Sequence, residues 1–129
     1  MPVLDALQVR ALQKLARDVP ASDTVLRYAA QLVRATRPGD PRAPELVTKY
    51  VRWGAGPRAG QALILGAKAH ALLAGRVAVS PADVERVAIP VLRHRVLPNY
   101  AAEADGIVSD VIVKALMARI EPPRGAVTR

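Results

Sequence analysis

The sequence predicts an all-α fold, a compact bundle of about five helices, and three observations predict it. Apolar residues recur at spacings of three and four over most of the chain, the period of a single helix face. Proline, glycine and Ser/Asp signals divide the chain into segments of helical length. Hydrophobic residues make up 51% of the 129 positions, with no Phe, one Trp and three Tyr, so the core must be aliphatic. Ala, Val and Leu side chains of this kind suit close helix packing, and the length is that of one domain.

The first helix is expected over residues 3–18, with Leu4, Leu7, Ala11, Leu12, Leu15 and Val19 on one face. Asp5 in its first turn and Lys14 and Arg17 in its last match the helix dipole, and Pro20 closes it. Ser22-Asp23 starts a second helix that buries Val25, Ala29, Leu32 and Val33 and ends before Pro38-Gly39. Residues 37–44 carry three prolines and read as a surface loop. Residues 45–53 read as irregular or as a short helix, because no second strand is evident to pair them. The third helix runs from Pro57 to about Ala74, with Gly75 as its stop. It is apolar or small nearly all round, which places it in the middle of the bundle, with Gly60 and Gly66 letting neighbours approach. Ser80-Pro81-Ala82-Asp83 is a helix start with cap, N1 proline and capping-box acid. Pro90 should kink or interrupt that fourth helix, and Pro98-Asn99 is a break. A final helix covers about 107–120. The helical domain is thus expected over 1–121, and 122–129 as a flexible C-terminal tail after Pro122-Pro123.

Composition excludes several functions. No cysteine is present, so disulfides and thiolate metal sites are excluded. No apolar run approaches a membrane span, no secretory signal is visible, and a cytoplasmic setting is the default expectation. The net charge of +8 raises nucleic-acid binding, but the basic residues are spread from Arg10 to Arg129 without a dense block and without interleaved aromatics. A basic helical nucleic-acid-binding or protein-interaction module is the alternative reading. His70 and His94 lie on different helices with no further ligands near them in sequence, so no metal site is expected, and His70 reads as a packed histidine with one ring nitrogen satisfied. Glu85 and Arg86 read as ordinary solvated charges. Neither a phosphate loop of the G-x-x-x-x-G-K-[ST] type nor a dinucleotide fingerprint occurs, so the chain has no catalytic set of its own.

One segment resists a purely structural account. In Trp53-Gly54-Ala55-Gly56-Pro57-Arg58-Ala59, Pro57 suits the first helical position and Gly56 the N-cap, which puts Arg58 on the first turn. A cation is disfavoured there and an anion favoured. Two readings stay open: an arginine whose stem covers apolar surface while its head stays in water, or a contact to an anion supplied from elsewhere. Arg93-His94-Arg95, at the end of the fourth helix, reads either as dipole-favoured cations or as a secondary functional contact.

Gly54-Ala55-Gly56-Pro57-Arg58-Ala59 resembles the Gly-Ala-Ser-Pro-Arg-Ala sensor-2 motif of MoxR-family AAA+ ATPases. The runs Tyr28-Ala29-Ala30-Gln31-Leu32-Val33-Arg34-Ala35-Thr36-Arg37, Ala71-Leu72-Leu73-Ala74-Gly75-Arg76, Val79-Ser80-Pro81-Ala82-Asp83-Val84 and Val91-Leu92-Arg93-His94-Arg95 follow the order of that family's C-terminal lid. The resemblance covers residues 3–121. It implies a lid that follows an α/β core holding the Walker motifs, with Arg58 reaching the phosphates of ATP in the same subunit and Gly54, Gly56 and Pro57 supporting it. It further implies ATP with Mg2+ as cofactor of the full-length protein, a hexameric ring, remodelling or maturation of partner proteins, and a von Willebrand A-domain partner. Gly56 departs from the family's serine: glycine still caps a helix, at a cost of a few tenths of a kcal/mol, but offers no hydroxyl.

Overall fold

The computed structural model describes residues 1–124. Helix α1 spans Ala6–Asp18, α2 Asp23–Ala35, α3 Glu45–Tyr50, α4 Pro57–Leu73, α5 Pro81–Leu92, α6 Tyr100–Asp105 and α7 Ser109–Arg119. Two short strands, β1 (Val51–Trp53) and β2 (Leu97–Pro98), complete the described residues. The fold is all-α, with seven helices among the described residues where about five are expected. Helix α3 realises the short-helix reading of residues 45–53, whereas α6 is new; both have six residues, fewer than two turns, too few for a hydrophobic period to show.

The caps follow the sequence closely. Ser22 Oγ accepts the Val25 amide at 3.3 Å to start α2. Ser80 and Asp83 form the expected capping box of α5, with Pro81 at its first position. Helix α1 starts three residues later than expected: Asp5 is its cap, accepting from the Gln8 amide at 2.7 Å while Gln8 Oε1 accepts from the Asp5 amide at 2.9 Å. Asn99 is likewise a cap, accepting from the Ala102 amide at 3.0 Å, so the expected break at Pro98-Asn99 is the end of a strand and the start of α6. Pro90 does not interrupt α5, which continues two residues past it to Leu92.

The core sits between α2, α4, α5 and α7, around Tyr28, Leu32, Leu63, Leu92, Ile112 and Leu116. Helix α4 holds the centre, packed against α1, α2 and α5, and buries the four-residue series Ala59, Leu63, Ala67, Ala71. A Cβ at Gly66 would stand 3.4 Å from Val87 of α5, so this glycine does admit a close neighbour, whereas at Gly60 the nearest atom, on Val33, is 3.9 Å away. The apolar face of helix α1 is largely uncovered. Of its predicted apolar face only Val19, just past its end, is buried; Leu4, Leu7, Leu12 and Leu15 are exposed, Leu7 at 77%. It rests on the bundle through Ala16 and through Lys68 Nζ, which donates to the Arg17 carbonyl at 2.9 Å.

Strands β1 and β2 pair antiparallel, Val51 opposite Pro98 and Trp53 opposite Leu97, with an irregularity between. The expectation that residues 45–53 lack a strand partner is therefore corrected: the partner is two residues long and contains a proline, which leaves no alternation to read. The ribbon fixes the layout of one end of the bundle. Gly66 faces Val87 and His70 faces Asp83, so α4 and α5 run antiparallel. Val33 approaches Gly60 and Thr36 bonds to Ala55, so α2 also runs opposite to α4. The end of α2, the start of α4, the end of α5 and the ribbon thus meet at the same end.

Candidate functional site: the loop before α4

The loop Gly54–Gly56 is anchored to the end of α2 at two points. Thr36, the C-cap of α2 and 1% exposed, accepts the buried Ala55 amide on its Oγ1 at 2.8 Å and donates its own proton to the Val33 carbonyl at 2.5 Å. At Gly54 the backbone touches the same residue: a Cβ there would lie 2.7 Å from the Thr36 carbonyl oxygen and 2.9 Å from Cγ of Arg37. No side chain fits that approach without displacing backbone, which is the physical reason for this glycine. Gly56 is different. It is the N-cap of α4 with extended backbone (φ −94°), makes no side-chain cap bond, and a Cβ there would meet open space. Its carbonyl accepts the Ala59 amide at 3.0 Å, closing the first turn.

Pro57 is the first helical residue, and Arg58 follows on the opening turn of α4, exposed. Among the described residues no carboxylate or carbonyl pairs with its guanidinium. A cation therefore stands at the end of the helix where negative charge is stabilised. On the flank of this turn an open groove of about 450 Å³ runs between α2 and α4, lined by Leu26, Ala29, Pro57, Gly60 and Ile64 with Lys68 further along.

The cluster Arg93, His94 and Arg95 lies at the same end of the bundle, but its charges are largely engaged. Arg93 donates twice to the Asp110 carboxylate of α7, at 3.1 and 2.8 Å. Arg95 Nη1 donates to the Val91 carbonyl at 2.6 Å and lies 2.6 Å from His94 Nε2. The structure records no contact between these three and Arg58. Beside the two readings given for them, the structure shows an ion pair from Arg93 that ties α5 to α7, which only tertiary structure reveals.

Three polar features escaped the sequence reading. Thr36 is one, and nothing in a lone threonine at a helix end marks it. The second is a staple around Asp83, which is fully buried. Arg76 grips its carboxylate with both terminal nitrogens, His70 Nδ1 lies 2.7 Å from Oδ1, and the Ser80 amide donates to Oδ2 at 2.8 Å. Burial alone would raise the carboxyl pKa, yet the Arg76 guanidinium, the Ser80 amide and His70 together hold it well below the usual carboxylate range. His70 is thus a satisfied packing histidine, as expected. The third is Glu85, read as solvated: its Oε1 accepts the hydroxyl of the buried Tyr28 at 3.2 Å. Burial, reinforced by the neighbouring Glu85 charge, raises the Tyr28 pKa. No group of three or more His, Asp or Glu able to hold a metal ion occurs among the described residues, and no described helix is long and apolar enough to cross a membrane.

Comparison with known proteins decides what kind of domain this is. Residues 43–116, more than half of the chain, match the AAA lid domain family. The chain belongs to the AAA lid domain family, in its MoxR form. It is 31% identical over 122 residues to the protein named chaperone MoxR1 of Mycobacterium tuberculosis, covering 95% of this chain and 32% of that protein. It is 34% identical to the protein MoxR of Paracoccus denitrificans, covering 91% of this chain and 37% of that protein. A crystal structure of a Cytophaga hutchinsonii protein described as a candidate ATPase superposes with a TM-score of 0.80 at 32% identity, over 92% of this chain and 35% of the other. The lid therefore spans about a third of the length of these relatives. The family match includes the Gly54–Arg58 loop, the α4–α5 hairpin and most of α7; the end of α2, which anchors the loop, lies before it.

Proposed function

We propose that this chain serves as the lid of a MoxR-type AAA+ ATPase and that Arg58 contacts the phosphates of ATP bound by the portion of the protein that its relatives have and this chain does not span. The observation that carries the reading is the exposed guanidinium on the first turn of α4, which has no partner among the described residues and follows a loop with two anchors. Such a group fits a phosphate oxygen: the helix end favours an anion, and a planar guanidinium can bond two of its oxygens. ATP with Mg2+ would supply a polyanion whose negative charge shifts towards the leaving phosphate as the terminal phosphoryl group is transferred. The described residues hold no metal cluster, so the ion would be held by the phosphates and by the rest of the protein. The lid's own part is to bring one cation to that charge from a turn whose backbone is anchored in advance.

Because the arginine is fixed to α4 and α4 is the centre of the bundle, a shift of the phosphates would move the whole lid. That supports a reading in which hydrolysis is coupled to remodelling or maturation of partner proteins, in line with the chaperone name of the mycobacterial relative. Ring assembly and a von Willebrand A-domain partner belong to the same proposal and rest on the family resemblance. The test is Arg58→Ala in the protein that joins this lid to its ATP-binding portion. Loss of one preorganised donor to developing charge should lower kcat by about 10²-fold, with an unchanged melting temperature. Wild-type turnover in the variant would overturn the assignment.

A further inference from the structure

We infer that Thr36 is a positioning residue for Arg58: its hydroxyl fixes the turn ahead of α4 at the angle from which the arginine reaches its phosphate. The inference rests on the reading of Arg58 given above and extends it to a residue on another helix. Thr36 is one of two buried polar or charged residues among those described, the other being Asp83 of the staple. Its rotor is locked, because its proton goes back to the Val33 carbonyl and a lone pair is thereby left facing the Ala55 amide. Ala55 is 2% exposed, so water cannot take over that bond. The contact between Gly54 and the Thr36 carbonyl closes the turn from the other side. Both anchors lie within four residues of Arg58, and both lead to Thr36. The hydroxyl is required for a geometric reason: serine reproduces both bonds, whereas valine keeps the shape and makes neither.

The experiment is a double-mutant cycle on ATP hydrolysis by the protein that joins this lid to its ATP-binding portion, using Thr36→Val, Thr36→Ser, Arg58→Ala and the Thr36→Val/Arg58→Ala pair. A displacement of part of an ångström should make Thr36→Val lower kcat/KM by about 10-fold, below the roughly 10²-fold that a full ångström can cost. Thr36→Ser should stay near wild type. With Arg58 already removed, Thr36→Val should cause no further loss, since a residue that acts through another has nothing left to act on. Additive losses in the double variant would show a merely structural role and overturn the inference, as would full activity in Thr36→Val. Full activity in Arg58→Ala would overturn the phosphate reading itself and the inference with it, which separates the two failures. Should Thr36→Val fail to fold, Gly54→Ala enters the same cycle, because it pushes the turn off Thr36 while leaving the hydroxyl in place. Amide exchange at Ala55 gives a second readout: protection should persist in Thr36→Ser.

Discussion

At Gly54 an added methyl group would strike the carbonyl of Thr36, while at Gly56, two residues on, it would meet nothing. The two positions therefore respond oppositely to substitution. Gly54→Ala forces backbone to shift and should cost about 2 kcal/mol in a urea titration, in the range of other overpacking changes. Gly56→Ser puts a hydroxyl at an N-cap that has no side-chain bond, and should raise stability by a few tenths of a kcal/mol, the usual difference between serine and glycine there. Sequence alone marked both glycines as loop support and could not rank them. The loop's local geometry was legible, because Gly-Pro before an apolar run fixes cap and first turn. What distinguishes Gly54 is the end of α2, which arrives from eighteen positions upstream in the chain and leaves no local trace. The same holds for Thr36 and for the pairing of Arg93 with Asp110.

Helices α4 and α5 form a hairpin held by a polar staple as much as by apolar contact. Asp83 at the start of α5 ties together His70 on α4, Arg76 in the connection and the Ser80 amide. Its carboxyl is held below its normal pKa in the folded chain, so its contribution is fully present above the unfolded value of about 3.9 and is lost as pH falls through the folded value. Unfolding free energy should consequently show no Asp83-dependent change from pH 8 to 5 and an Asp83-dependent decline below about pH 4. Asp83→Asn should remove that acid limb and cost about 2 kcal/mol at pH 7, less than a fully buried pair because Arg76 keeps 36% of its side chain in solvent. Chemical denaturation of both proteins across pH checks it. At this scale α2, α4, α5 and α7 were legible, since each is long enough to show a period and three of the four carry a Ser or Pro start signal. The ribbon was not, since strands of three and two residues have no alternation. Helix α6 was not, since Asn99 after a proline reads equally well as a turn or as a cap.

Across the whole molecule, the least expected result is the outward face of α1. Its apolar stripe is regular, yet Leu7 and Leu15 stand exposed at 77% and 51%. Periodicity reports that a helix has an apolar face and not which body covers it. Leu7→Gln with Leu15→Gln should therefore change the stability of this chain by no more than about 0.5 kcal/mol, as for other exposed sites, where a core role would cost several times more; thermal melts separate the two. The ribbon has a different kind of consequence, one of timing. The α4–α5 hairpin is built from contacts close in sequence, whereas Trp53 meets Leu97 only after that entire hairpin has been closed into a loop. Distant pairings of this sort form slowly, because chain entropy is spent before the contact returns anything. The strand that leads into the arginine's loop should thus settle after the α4–α5 hairpin it encloses, so the hairpin is in place before the loop acquires its grip.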